Sequence, residues 1–144
     1  MYGRIATACA AALALISCGP GESGPPQVTA EHAVVTLPAA AGRPGAAYFQ
    51  LETNRPARLV SVASPSARRI ELHEEGMRPA ASFALTPDEP LHFRPGGRHA
   101  MLFDLDPALR PGGRVTLTFT FEGGPAPVVA EAEVRAPGDV PPHH

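Results

Sequence analysis

Arg114-Val115-Thr116-Leu117-Thr118-Phe119-Thr120-Phe121-Glu122 alternates apolar and polar residues without a break, and Val128-Val129-Ala130-Glu131-Ala132-Glu133-Val134 follows in the same manner after Gly123-Gly124. A period of two sends successive side chains to opposite faces, so each run is a strand with one face toward a core and one toward water. The glycines between them permit a chain reversal, and strands are expected at 114–122 and 127–135, joined as a hairpin. Outward from this pair, short apolar stretches bounded by turn residues recur about every eight to twelve residues from His32 on. They predict strands at 32–37, 46–53, 57–63, 69–74, 77–85, 90–94 and 98–105. The 18 Pro and 14 Gly among 144 residues exclude long helices. The expectation is an all-β domain.

The length fits one domain, and a 44% hydrophobic content supplies a core of ordinary size. A formal net charge of -2 with no basic run lacks the positive footprint that nucleic acid requires. All 12 basic residues are arginine. Near the start, Arg4 precedes an apolar run from Ile5 to Ile16 that is too short to span a bilayer and ends in small residues, the pattern of a secretory signal over 1–17. Leu15-Ile16-Ser17-Cys18 resembles the lipobox of bacterial lipoproteins. That resemblance implies an acylated Cys18 as the first mature residue and a periplasmic protein held to the membrane by lipid; the competing reading is a plain signal cut near Gly19. Gly19 stands where an aspartate commonly retains such proteins at the inner membrane, which favours the outer one.

Cys9 leaves with the signal, so no thiol remains for a disulfide, a redox pair or a thiolate metal site. The remaining expectations are a lipid-anchored flexible tether over 18–30, rich in Gly, Pro and Ser, a β domain over 31–136, and a disordered Pro/His tail over 137–144.

Two methionines survive signal removal, Met77 and Met101, and each lies within four residues of a histidine. In His99-Ala100-Met101, positions i and i+2 of a strand put imidazole and thioether on one face, roughly 6.5–7 Å apart at the backbone. In His73-Glu74-Glu75-Gly76-Met77, a strand ending at His73 and another starting at Met77 enclose three residues, the last a glycine suited to positive φ. His73 and Met77 are then expected as a cross-strand pair on a common face. Two imidazoles and two thioethers form a soft neutral set that favours Cu(I) over Mg(II), Ca(II) or Mn(II). Methionine as a core filler accounts for either pair alone; the coincidence of the two pairs favours a site. Zinc would need His73 and His99 with Glu74, Glu75 or His92, and His92 shares parity with Arg94 on the expected solvent face.

The run His73-Glu74, Met77-Arg78-Pro79 and Arg94-Pro95-Gly96-Gly97-Arg98-His99-Ala100-Met101-Leu102 resembles the PCu(A)C family of periplasmic copper chaperones. Twenty-one residues separate Met77 from His99, as in the family, and the Pro-Gly-Gly-x-His-x-Met-Leu signature is intact. Gly45-Ala46-Ala47-Tyr48 and the stretch from Ser64 to Glu74 are also similar, so the resemblance covers residues 32–135. The family spaces its first His and Met by ten residues, whereas His73 and Met77 are separated by three. A one-residue slip of this shortened hairpin would turn Met77 to the other face; the expectation is that the pair survives.

The resemblance implies a cupredoxin-like Greek-key β-barrel or sandwich, His73, Met77, His99 and Met101 as Cu(I) ligands, and no enzymatic activity. It further implies delivery of copper to a periplasmic recipient, such as a cytochrome c oxidase subunit or another copper chaperone, for oxidase assembly or copper homeostasis. The alternatives are a lipoprotein adaptor of the same fold that has lost metal, and a zinc enzyme with Glu74 as base, which leaves the thioethers unexplained. His32 reads as a solvated edge residue, and Glu74 and Glu75 as solvated tip residues. Asp104 and Asp106 with Pro107 read as a turn. His143 and His144 could catch Cu(II).

Overall fold

The computed structural model describes Gly3 and residues 24–139. Apart from Gly3, the signal lies outside the described residues, as do Cys18 and the two terminal histidines. Nine strands and no helix form among them: β1 Val28–Thr36, β2 Gly45–Thr53, β3 Ala57–Ala63, β4 Ala67–His73, β5 Phe83–Leu85, β6 Leu91–Phe93, β7 His99–Leu105, β8 Arg114–Glu122 and β9 Val128–Arg135. The alternating stretch that opened the sequence is β8, and it pairs antiparallel with β9 from Phe119↔Val128 to Arg114↔Glu133. β1 begins earlier than expected, so Val28, Thr29 and Ala30, assigned to the tether by composition, instead pair with Thr53, Glu52 and Leu51.

All strands belong to one sheet in the order β4-β7-β2-β1-β9-β8-β3-β5, with β6 pairing β2 off this path. Every adjacent pair is antiparallel except β1 with β9, which is parallel. The sheet curls until β3 lies against β4, giving a cupredoxin-like open half-barrel. Its inner face is the core. Phe49 stacks on Phe93 at 4.3 Å and meets Phe119 edge-on at 4.8 Å, while Phe83 meets Phe93 edge-on at 5.1 Å. Leu51, Leu59, Leu102 and Leu117 are fully buried around them. Each such side chain contributes about 1.5–3 kcal/mol on leaving water.

The expected strand over 77–85 shrinks to β5. Because β4 and β5 are the two ends of the sheet order, the chain between them must cross the gap of the half-barrel and cannot stay in a ladder. β7 is the element that builds the site. Ala100 and Leu102 point into the core, so His99, Met101 and Phe103 share the outer face. The turn that delivers His99 onto β7 is closed by the Arg94 N–H donating to the Arg98 carbonyl at 2.9 Å, with Gly96 at φ 79°. Asp106 forms the expected turn, accepting from the Ala108 N–H at 2.9 Å, whereas Asp104 stays in β7 at φ 52°.

Candidate metal centre

β4 lies beside β7 with His73 opposite His99 and Glu71 opposite Met101. Directly opposed residues share a face, so the two imidazoles and the Met101 thioether stand on the outer side of the sheet. The rings are 5.2 Å apart between centroids and tilted by 54°. His73 is only 5% exposed, an unusual cost for a polar side chain unless its nitrogens are used.

One nitrogen of each ring is accounted for. His73 Nε2 is 3.2 Å from Glu71 Oε2; an ionised carboxylate only accepts, so Nε2–H donates and Nδ1 keeps its lone pair. His99 Nδ1–H donates to the Gly97 carbonyl at 2.9 Å, which leaves the lone pair on Nε2. Both remaining nitrogens, His73 Nδ1 and His99 Nε2, are buried and have no hydrogen-bond partner in the protein. An unpaired buried acceptor costs about 1–3 kcal/mol. A histidine whose far nitrogen is pinned by a carboxylate or carbonyl, with the near one left open, has the usual environment of a metal ligand.

Met77, His99 and Met101 line one open cavity of about 340 Å³, together with Ala46 and Tyr48 from β2. Met101 is half-buried and Met77 is 56% exposed at the rim. Burial raises the Tyr48 phenol above its ordinary pKa of 10.0. Thus three of the four residues singled out from sequence share a cavity, and the fourth, His73, has its ring against that of His99.

The expected pairing of His73 with Met77 does not occur. His73 bridges Pro79, the Glu74 N–H donates to the Arg78 carbonyl at 2.8 Å, and the Ala80 N–H donates to the Leu72 carbonyl at 2.9 Å. The hairpin closes one residue later than expected, leaving Glu75, Gly76 and Met77 as the loop. The cause is Pro79. In the expected register, residue 79 would stand at a hydrogen-bonded position two rungs from the turn, and proline has no N–H to give. In the observed register Pro79 falls on a non-hydrogen-bonded rung. Met77 then sits in the loop at φ 65°, following Gly76 at φ 79°.

The zinc donor set is not assembled. His92 pairs with Gln50 and lines a separate groove of about 530 Å³ with Glu74, Glu75 and Arg94. Glu74 is engaged by Arg78 at 3.1 Å. No group of three or more His, Cys, Asp or Glu that could hold a metal occurs among the described residues. His32 lies at an irregularity of β1 with φ 53° and a largely exposed side chain, 3.8 Å from Glu31. Sequence reasoning gave no role to Glu71, although its position two residues before His73 on one strand marks it as a same-face neighbour.

The LpqE-like lipoprotein family profile matches residues 28–134. No curated protein matches the chain in sequence. Among solved structures, the chain is similar to the copper-bound PCuAC domain from PmoF2, with a TM-score of 0.67 and 26% identity over 76% of this chain and 93% of that one. The apo PCuAC domain from PmoF1 gives 0.68 and 25%, covering 76% and 94%. The Cu(I) form of DR1885 from Deinococcus radiodurans gives 0.62 and 26%, covering 72% and 74%.

Proposed function

The chain belongs to the LpqE-like lipoprotein family, and on that premise we propose that it is a Cu(I)-binding metallochaperone. The ligands are His73 Nδ1, His99 Nε2 and the sulfurs of Met77 and Met101. The observation that carries this reading is the pair of buried imidazole nitrogens on opposed residues of β4 and β7, both left without partners in the protein. A neutral set of two nitrogens and two thioethers suits a soft monovalent ion and offers little to hard cations. The solved relatives that hold copper support it. The exposure of Met77 at the cavity rim suits handover, since an acceptor can reach the ion there first. The recipient is a copper-receiving protein outside the cytoplasm, serving cytochrome c oxidase assembly or copper homeostasis, and Cys18 supplies a lipid anchor. Carrying an ion requires no proton transfer, and no catalytic residue is assigned.

A second reading, an adaptor of the same fold without metal, draws on the displacement of Met77 from the rung opposite His73. Anaerobic titration with Cu(I) against a competing chelator, followed by X-ray absorption at the copper edge, separates the two. The chaperone predicts one ion in a mixed nitrogen and sulfur shell. It also predicts that replacing Met77 and Met101 together by leucine removes the sulfur shell and tight binding while the far-ultraviolet circular dichroism is unchanged. Failure of the native protein to compete for copper would sink the chaperone reading and leave the adaptor.

A further inference from the structure

Three rungs of the β4–β7 ladder place Arg69 opposite Phe103, Glu71 opposite Met101 and His73 opposite His99. Their side chains run in a line along the outer face of the sheet. The Arg69 guanidinium lies over the Phe103 ring at 4.2 Å from its centroid. Arg69 Nε forms an ion pair with Glu71 Oε1 at 3.2 Å, and the other oxygen of Glu71 accepts from His73 Nε2–H at 3.2 Å. The carboxylate is therefore divided between the two, one oxygen to each.

We infer that Glu71 is a positioning residue for copper, held by Arg69 on Phe103, that fixes the His73 ring so that Nδ1 faces the ion. The inference rests on the copper reading of the site. A lone imidazole can turn about its bond to Cβ and can carry its proton on either nitrogen, and three of those four arrangements present the wrong atom or an occupied one. An acceptor at Nε2 selects the fourth. The Gly97 carbonyl does the same work for His99 from the backbone, where no substitution can remove it, so the side chain of Glu71 is the adjustable half of the arrangement. β4 is an end strand of the sheet order, but at His73 its outer side is bridged by Pro79, so the ring is confined on both sides and the Glu71 carboxylate decides which of its nitrogens carries the proton.

The test uses the purified protein with 15N-labelled histidine, alongside Glu71→Ala and Glu71→Gln. In the apo native protein the His73 Nε2–H proton is expected as a slowly exchanging resonance, lost in Glu71→Ala and kept in Glu71→Gln, whose amide oxygen still accepts. Cu(I) affinity, measured by chelator competition, should fall about 10–100-fold in Glu71→Ala and recover most of that in Glu71→Gln. Unchanged affinity in Glu71→Ala, or equal losses in both variants, overturns the inference. If the native protein takes up no Cu(I), the inference falls together with the copper reading. That case is told apart from failure of the positioning step by the Nε2–H resonance, which would still be present in the native protein and Glu71→Gln and absent in Glu71→Ala.

Discussion

Tyr48 offers a titration that can be read without interference. It stands on the wall of the cavity beside His99 and Met101, and burial raises its pKa from 10.0. The chain has no lysine and arginine stays charged throughout the range, so among the described residues this phenol is the side chain that titrates near pH 10. The sign follows from the direction of the shift. The folded state holds the phenolic proton more tightly than the unfolded chain, so the contribution to stability is complete below pH 10 and declines as pH rises through the raised folded value. Protein lacking residues 1–17, and hence Tyr2, should show tyrosinate absorbance with a midpoint above 10 when folded and near 10 in denaturant. Tyr48→Phe should flatten the loss of stability in that window. A folded midpoint at or below 10 would contradict the buried placement. At neutral pH the phenol is uncharged and would leave a bound ion to the softer donors.

The Glu74–Arg78 hairpin shows what local pattern could and could not reveal about an element. The limits of β3 and β8 were legible to the residue, because each is bounded by turn residues, although only β8 alternates cleanly and β3 carries an irregularity between Leu59 and Ser61. His99 and Met101 were legible as same-face neighbours for the same reason. The register of the hairpin was not, although its cause was present in the sequence. Glycine at 76 suggested where the chain turns, but the missing N–H of Pro79 decides which rungs can be hydrogen-bonded, and the closing pair moves by one residue to accommodate it. The crossing from β4 to β5 was illegible, because it depends on which strands end up at the two edges of a curled sheet. The displaced register leaves Met77 in left-handed backbone conformation, which costs a non-glycine residue on the order of 1 kcal/mol. Asparagine tolerates that conformation better than methionine. Met77→Asn should therefore match or exceed the native stability in urea by up to about 1 kcal/mol while weakening Cu(I) binding in chelator competition. A loss of more than about 1 kcal/mol would instead mean that the Met77 side chain serves packing.

The four proposed ligands come from parts of the molecule that the sheet alone joins weakly. His99 and Met101 belong to β7, which is paired on both sides; His73 ends the edge strand β4, and Met77 lies in a loop closed by one backbone bond and one exposed ion pair. An ion held by all four ties the edge and the loop to the interior of the sheet, and no unfolded chain presents that set. A ligand that binds only the native state stabilises it in proportion to the logarithm of its concentration, by about 2.7 kcal/mol at a hundred times Kd. Denaturation in buffered Cu(I) should therefore show stability rising with free copper at that slope, and the double replacement of Met77 and Met101 should abolish the rise. The gain should also be local. Amide exchange is expected to slow most over 71–78 on copper binding, where opening costs least in the apo protein, and little in β8 and β9, whose core positions open only with global unfolding. Copper that raised the melting temperature of the double variant equally would place the ion elsewhere on the molecule, and copper that raised neither would favour the adaptor.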